Sequence, residues 1–237
     1  MEAKVRDRKW HNYFYNMRNK YDMRLSANKP IVLFLEAKAS LKSKTNLLDD
    51  KKNGFFDAMT LAAKYFTIKY NCIAIGGTKE ISFVIENTDD LIQSINNEKK
   101  YRVHDVAAIF SQYFFEQFNN IYDGEKVYWT CKCFNISKEK IESYLRFKSK
   151  GIQKRIVEIF LQQQGDKSTY GIKLEEKIKK CQNYESYSLI EEYKDGILYY
   201  NGKKIKLNEY LKGHIVILKD QKDTEEFFDL TDFDSLL

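Results

Sequence analysis

Residues Ile73 to Glu86 read IAIGGTKEISFVIE, and Ile31 to Glu36 read IVLFLE. Both are short apolar runs rich in β-branched side chains, the composition of buried strands. The first is split by Gly76-Gly77-Thr78-Lys79, turn chemistry that joins two antiparallel strands into a hairpin. One run ends at Glu36 and the other turns at Lys79-Glu80. If the strands are neighbours, Glu36 and the hairpin tip lie together at one sheet edge.

Outward from this stretch, Asn53 to Tyr70 predicts a helix with Phe55, Phe56, Met59, Ala62, Ala63 and Phe66 on one side. After the hairpin, Asp89-Asp90 is expected to cap a short helix. Val103 to Phe118 is apolar nearly all round, as a helix buried under a sheet would be, and Val127 to Phe134 alternates like a half-exposed strand. The resulting β, α, β, β, α, β order predicts an α+β fold, the split βαβ of a ferredoxin-like sheet and the topology of a polymerase palm. Carboxylates at the strand ends of such a palm hold metal ions, because two cations neutralise the attacking and leaving phosphate oxygens.

The flanking segments are expected to pack on this body. Residues 4–24 interleave Arg and Lys with Trp10, Tyr13, Phe14 and Tyr21 at helical spacing. Residues 38–52 lack periodicity and read as a loop. Ser137 opens a long helix to about Gln164, residues 173–181 a shorter one, and Asn201-Gly202 between ILYY and KKIKL signals a type I′ hairpin. Gly213 to Leu218 is a candidate further strand. One proline, ten glycines and no Ser/Gly-rich run leave no linker. We therefore divide the chain into a palm with its N-terminal helix, residues 1–136, and a helical and hairpin extension, residues 137–237.

Composition narrows the function classes. No apolar run approaches the ~20 residues of a membrane span, and the basic, aromatic N-terminus lacks the apolar core of a signal peptide, so a cytoplasmic protein is expected. Cys72, Cys131, Cys133 and Cys181 are better read as reduced thiols than as a disulfide set. Cys131 and Cys133 share a strand face without a third metal ligand nearby, and three scattered histidines argue against zinc or histidine catalysis. The net charge of +6 is uneven: Asp220 to Leu237 carry −6, leaving 39 basic against 27 acidic residues, a net of +12, in residues 1–219. Such a body suits a polyanionic partner such as RNA, although a solvated lysine-rich surface has the same composition. Arg146, Lys148, Lys150, Lys154 and Arg155 crowd the middle of the long helix with no acidic residue among them and are the expected phosphate contacts; burial against the palm is the alternative. The acidic, aromatic tail Glu225 to Leu237 is expected to dock on that basic surface or simply to pack.

These residues resemble the tRNA-His guanylyltransferases and their bacterial and archaeal relatives, which add nucleotides to a tRNA 5′ end in the 3′-to-5′ direction. Arg6-Asp7-Arg8 through Tyr13 looks like the family's N-terminal helix, and Phe56-Asp-Ala-Met59 like the segment before its first palm helix. Leu35-Glu-Ala-Lys-Ala39 sits where the family has hydrophobic-Asp-Gly-Lys, and Thr78-Lys-Glu-Ile-Ser82 where it has Ser-Asp-Glu-Ile/Tyr-Ser. Phe134-Asn-Ile-Ser-Lys-Glu139 followed by Tyr144-Leu145 resembles the start of its long helix. The resemblance implies a palm that binds a nucleoside triphosphate through Glu36, Ala37, Lys38, Thr78 and Lys79. It also implies a tRNA partner and a homo-oligomer, or a hetero-oligomer with an active paralogue.

The departures fall on the chemistry. The family's metal-binding aspartates correspond to Glu36 and Lys79, its glycine after the first to Ala37, its Trp-Arg-Gln to Phe147-Lys148-Ser149, and its next aspartate to Gly151. A protonated lysine cannot ligate Mg²⁺ and would repel it. Glu36, Lys79 and Glu80 are thus degenerate positions, unless Glu36 is only a strand-end carboxylate and Lys79 only a hairpin tip. Two functions follow. One is a non-catalytic subunit that binds RNA or nucleotide. The other is an active 3′-to-5′ nucleotidyltransferase with a rebuilt site, in which Glu36 and Glu80 hold one Mg²⁺ while Lys79 or Lys38 supplies charge to the triphosphate.

Overall fold

The computed structural model describes residues 24–26, 28–38, 54–88, 91, 101–166, 171–191 and 196–211. The expectations for the N-terminal helix, the 38–52 loop beyond Lys38, the helix capped at Asp89-Asp90, the strand at Gly213 to Leu218 and the acidic tail lie outside them.

In chain order the elements are β1 (Arg24–Leu25), β2 (Ile31–Lys38), α1 (Phe55–Lys69), β3 (Ile73–Gly77), β4 (Glu80–Ile85), β5 (Tyr101–Arg102), α2 (Val103–Ile121) and β6 (Tyr128–Asn135). A 3₁₀ turn at Lys138–Lys140 leads into α3 (Ile141–Gln163), followed by α4 (Leu174–Cys181), α5 (Tyr187–Glu191), β7 (Ile197–Tyr200), β8 (Lys203–Lys204) and α6 (Leu207–Leu211). The main sheet is antiparallel with order β6-β2-β4-β3-β7-β8, and β1 pairs with β5 in a separate ribbon. Its first four strands with α1 and α2 are the expected ferredoxin-like palm. Among the described residues no helix is long and apolar enough to cross a membrane.

Alternation along the strands gives the sheet two unlike faces. On one, Leu33, Leu35, Ile81 and Phe83 meet α1 and α2 in an aromatic core, with Phe66 5.1 Å from Phe83 and Phe114 4.7 Å from Trp129 between ring centroids. α2 lies under the sheet as expected, with Val106, Phe110, Phe114 and Phe118 fully buried on one side. Its apolar composition exceeds what the sheet can cover. Cys131 and Cys133 lie on this core face opposite Leu35 and Leu33, and the Cys133 thiol donates to the Val103 carbonyl at 2.9 Å.

The glycine pair plays a different part from the one its turn chemistry suggests. Gly76 and Gly77 are strand residues, and the turn proper is Thr78-Lys79, with Gly77 opposite Glu80. A Cβ on Gly77 would stand 2.5 Å from Ile152 Cγ2 and one on Gly76 2.7 Å from Ile81 Cγ1. Gly77 makes room for α3, which crosses the other sheet face on Ile141, Leu145, Ile152 and Ile156, and Gly76 makes room for Ile81 of the neighbouring strand. Asn201 and Gly202, at φ 46° and 73°, form the expected two-residue turn with both residues left-handed. β7 then pairs with β3, so this hairpin continues the palm sheet.

Candidate functional site

Register places the strand ends together. Glu36 faces Glu80 on β4 and Thr130 on β6 as direct antiparallel partners, which puts Glu36 and Glu80 side by side on the face away from α1 and α2. The turn is held against β2 by the Ala37 N–H, which donates to the Lys79 carbonyl at 2.8 Å. Thr78 is buried at φ 55°, an uncommon backbone state for a β-branched residue. Among the described residues Lys79 forms no ion pair.

Each carboxylate already has a cation. Lys38 Nζ lies 3.1 Å from Glu36 Oε2 at the water boundary. Lys148 Nζ lies 2.6 Å from Glu80 Oε1, and the lysine side chain is 8% exposed against 34% for the glutamate. The same ammonium stands 4.3 Å from the centre of the Phe34 ring, where the ring's negative face adds to its stabilisation. Beside it the Tyr144 hydroxyl donates to Ser82 Oγ at 2.9 Å. Burial pushes the Tyr144 phenol above its ordinary range against the opposing Ser82 hydrogen bond, and the Glu80 charge adds to the push.

The structure thus corrects the placement of Lys148, which belongs to the buried seam of α3 instead of an exposed phosphate-binding surface. Arg146, Lys150, Lys154 and Arg155 are exposed, and Arg146 is tied to Glu142 at 2.8 Å and to Asn208 at 3.3 Å. The signal for Lys148 was present: Ile141, Leu145, Ile152 and Ile156 recur at helical spacing, and position 148 falls in that series. A lysine in an apolar stripe needs a buried partner. Asn135, within the FNIS motif, also has a role that sequence reading missed. Its amide accepts from Ser26 N–H at 2.7 Å and donates to the Ser26 and Lys29 carbonyls at 2.9 and 3.2 Å, anchoring the lead-in to β2.

A divalent metal centre does not fit these side chains as they stand. Among the described residues no group of three or more His, Cys, Asp or Glu is arranged to hold a metal ion. Glu36 and Glu80 alone converge, and an ion shared between them would have to displace the Lys148 ammonium, which has little water to move into. The cysteines supply no alternative: burial pushes the Cys133 thiol up to about 11 and drives that of Cys131 higher still, so both are protonated near neutrality.

No protein-family model matches the chain, and no curated protein matches it in sequence. Its fold is nevertheless that of solved structures. A bacterial tRNA-His guanylyltransferase-like protein in complex with ATP superposes with a TM-score of 0.62 at 14% identity, covering 87% of this chain and 99% of the other. The tRNA-His guanylyltransferase of Saccharomyces cerevisiae superposes with a TM-score of 0.52 at 15% identity, covering 87% and 97%. The likeness is one of fold, spanning nearly the whole of both structures.

Proposed function

We propose that this chain is a tRNA-His guanylyltransferase-type palm that binds RNA, with a nucleoside triphosphate as a second ligand, and does not itself run two-metal nucleotidyl transfer. The observation that carries this reading is the Lys148–Glu80 pair, a buried ammonium seated on a carboxylate of the palm face. Two magnesium ions would bring four positive charges and Lewis acidity to the reacting phosphate. Lys38 and Lys148 bring two point charges and no vacant coordination positions. With their charges shared with Glu36 and Glu80 they offer a bound phosphate only weak attraction, and they do not activate the attacking hydroxyl. The structural neighbours are a tRNA-His guanylyltransferase and a related protein solved with ATP, and from these we carry over RNA, specifically tRNA, and triphosphate as ligands. We further place the protein in the cytosol as a homo-oligomer or as the partner of an active paralogue.

The adjacency of Glu36 and Glu80 favours one competing reading, an enzyme rebuilt around a single Mg²⁺. One assay separates the two. The full-length protein is incubated with Mg²⁺, radiolabelled GTP or ATP and a 5′-truncated tRNA, while binding of the same tRNA is followed by fluorescence anisotropy. Our reading expects binding without incorporation. Incorporation that disappears in Glu36→Gln would overturn it, and size-exclusion light scattering tests the oligomer.

A further inference from the structure

The outer side of α3 combines exposed basic side chains with an exposed aromatic ring. Phe147, Lys150, Gly151, Lys154 and Arg155 follow at spacings of three and four and form one face, opposite the seam that holds Lys148. Phe147 is 71% exposed, the largest value among the exposed large hydrophobic side chains of the described residues. Lys150, Lys154 and Arg155 form no ion pair with any described residue. The nearby acidic side chains on the helix are engaged elsewhere, Glu142 with Arg146 and Glu158 with Lys177. Among the described residues, three cations without an ion-pair partner therefore share a helix face with one exposed aromatic ring.

Gly151 sits between them and supplies an independent observation. A glycine inside a helix costs about 0.5–1 kcal/mol relative to alanine. The cost is commonly offset where a neighbour needs the space, as at Gly77 beneath Ile152. At Gly151 a Cβ would meet nothing within 4 Å. Its only structural effect is to leave a stretch of helix backbone open to whatever approaches from outside.

We propose that this face binds an unpaired RNA strand, with a base stacked on Phe147, consecutive phosphates on Lys150, Lys154 and Arg155, and the sugar-phosphate chain passing close over Gly151. The inference rests on the RNA-binding reading above and adds to it the surface and the single-stranded character of the ligand. The charge pattern suits a polyanion, and the exposed ring gives an unpaired base a stacking partner that a closed duplex would not use.

The test uses the full chain and two fluorescent RNAs, a blunt hairpin closed by a non-nucleotide linker and the same hairpin with a four-nucleotide single-stranded 3′ extension, titrated between 50 and 200 mM salt. Phe147→Ala should weaken the extended RNA by roughly 5- to 100-fold, the range for loss of one base–aromatic stack. It should leave the blunt hairpin and the salt slope unchanged. The triple variant Lys150→Ala/Lys154→Ala/Arg155→Ala should flatten the slope of log K against log salt by about 2–3. Gly151→Leu should weaken the extended RNA while the circular dichroism spectrum stays that of the wild type. Wild-type protein that binds neither RNA would defeat the parent reading. Wild-type protein that binds while the triple variant keeps its affinity and slope would defeat this surface alone. Equal weakening of both RNAs by Phe147→Ala would overturn the stacking role.

Discussion

Lys148 meets Glu80 and Lys177 meets Glu158 at the same 2.6 Å, and both lysines are almost sealed from water. Their surroundings differ. Lys177 and Glu158 join α4 to α3 beside the small cluster of Val157, Phe160, Leu161 and Cys181. Lys148 and Glu80 stand at the end of the palm strands, with Glu36, Lys38 and the Phe34 ring around them. The geometry of a buried pair therefore says little about its use. The groups next to it decide whether it is a staple between helices or part of the palm end where we propose that a nucleotide binds.

The largest effect should come from unpairing each lysine. Removing one partner of a buried ion pair costs about 3–5 kcal/mol, less where the survivor reaches water. We expect Glu158→Gln to lower unfolding free energy by about 3 kcal/mol and Glu80→Gln by about 2 kcal/mol in urea titrations. Binding of a fluorescent ATP analogue should be unchanged in the first and several-fold tighter in the second, where the Lys148 charge is released. If both variants leave nucleotide binding alone, the two pairs are equivalent and the distinction fails.

Gly77→Ala attacks the same difference from beneath. The new methyl group would press on Ile152 and lift α3 from β3, at about 1–3 kcal/mol for overpacking. Because Lys148 reaches Glu80 from α3, nucleotide affinity should change with stability in this variant and not in Glu158→Gln.

Two thiols report on the two regions separately. Burial pushes both Cys133, on the sheet, and Cys181, beside the α3–α4 cluster, up to about 11. Folded-state values above the unfolded ones mean that this contribution to stability is complete below pH ~8.5 and is lost as pH rises towards 11. Thermal stability should fall across that interval, and less steeply in a Cys133→Ala/Cys181→Ala protein. At pH 7.5, Glu158→Gln should speed alkylation of Cys181 and leave Cys133 slow; equal acceleration of both would indicate global opening.

The smallest effect is stabilising. Gly151→Ala should add about 0.5–1 kcal/mol to unfolding free energy, since nothing surrounds the added methyl.

The sequence was most legible where one physical reason dominates a residue. Asn201-Gly202 had to be a tight hairpin because both positions take left-handed backbone, and the apolar runs with their order implied the palm. Gly76-Gly77 misled because glycine serves two ends, turning and making room, and at Gly77 the second depends on Ile152, far away in sequence. Lys148 was hidden by its charged neighbours: a basic run looks solvated until helical phase is applied residue by residue. The adjacency of Glu36 and Glu80 could be read from strand order, but their lysine partners could not, because those depend on where α3 crosses the sheet.

The pairing of β7 with β3 also bears on how the chain is made. The Gly202 N–H reaches Thr67 Oγ1 across 135 positions of sequence, and Ile73 waits for Tyr200 as its strand partner. On the ribosome, a nascent palm complete through β6 presents Ile73-Ala-Ile75 as an open apolar edge until the β7–β8 hairpin emerges. Such edges template pairing between chains, and late, long-range closure prolongs their exposure. A chain truncated before Gly196 should retain the ferredoxin-like strand order and yet be lost to aggregation during expression.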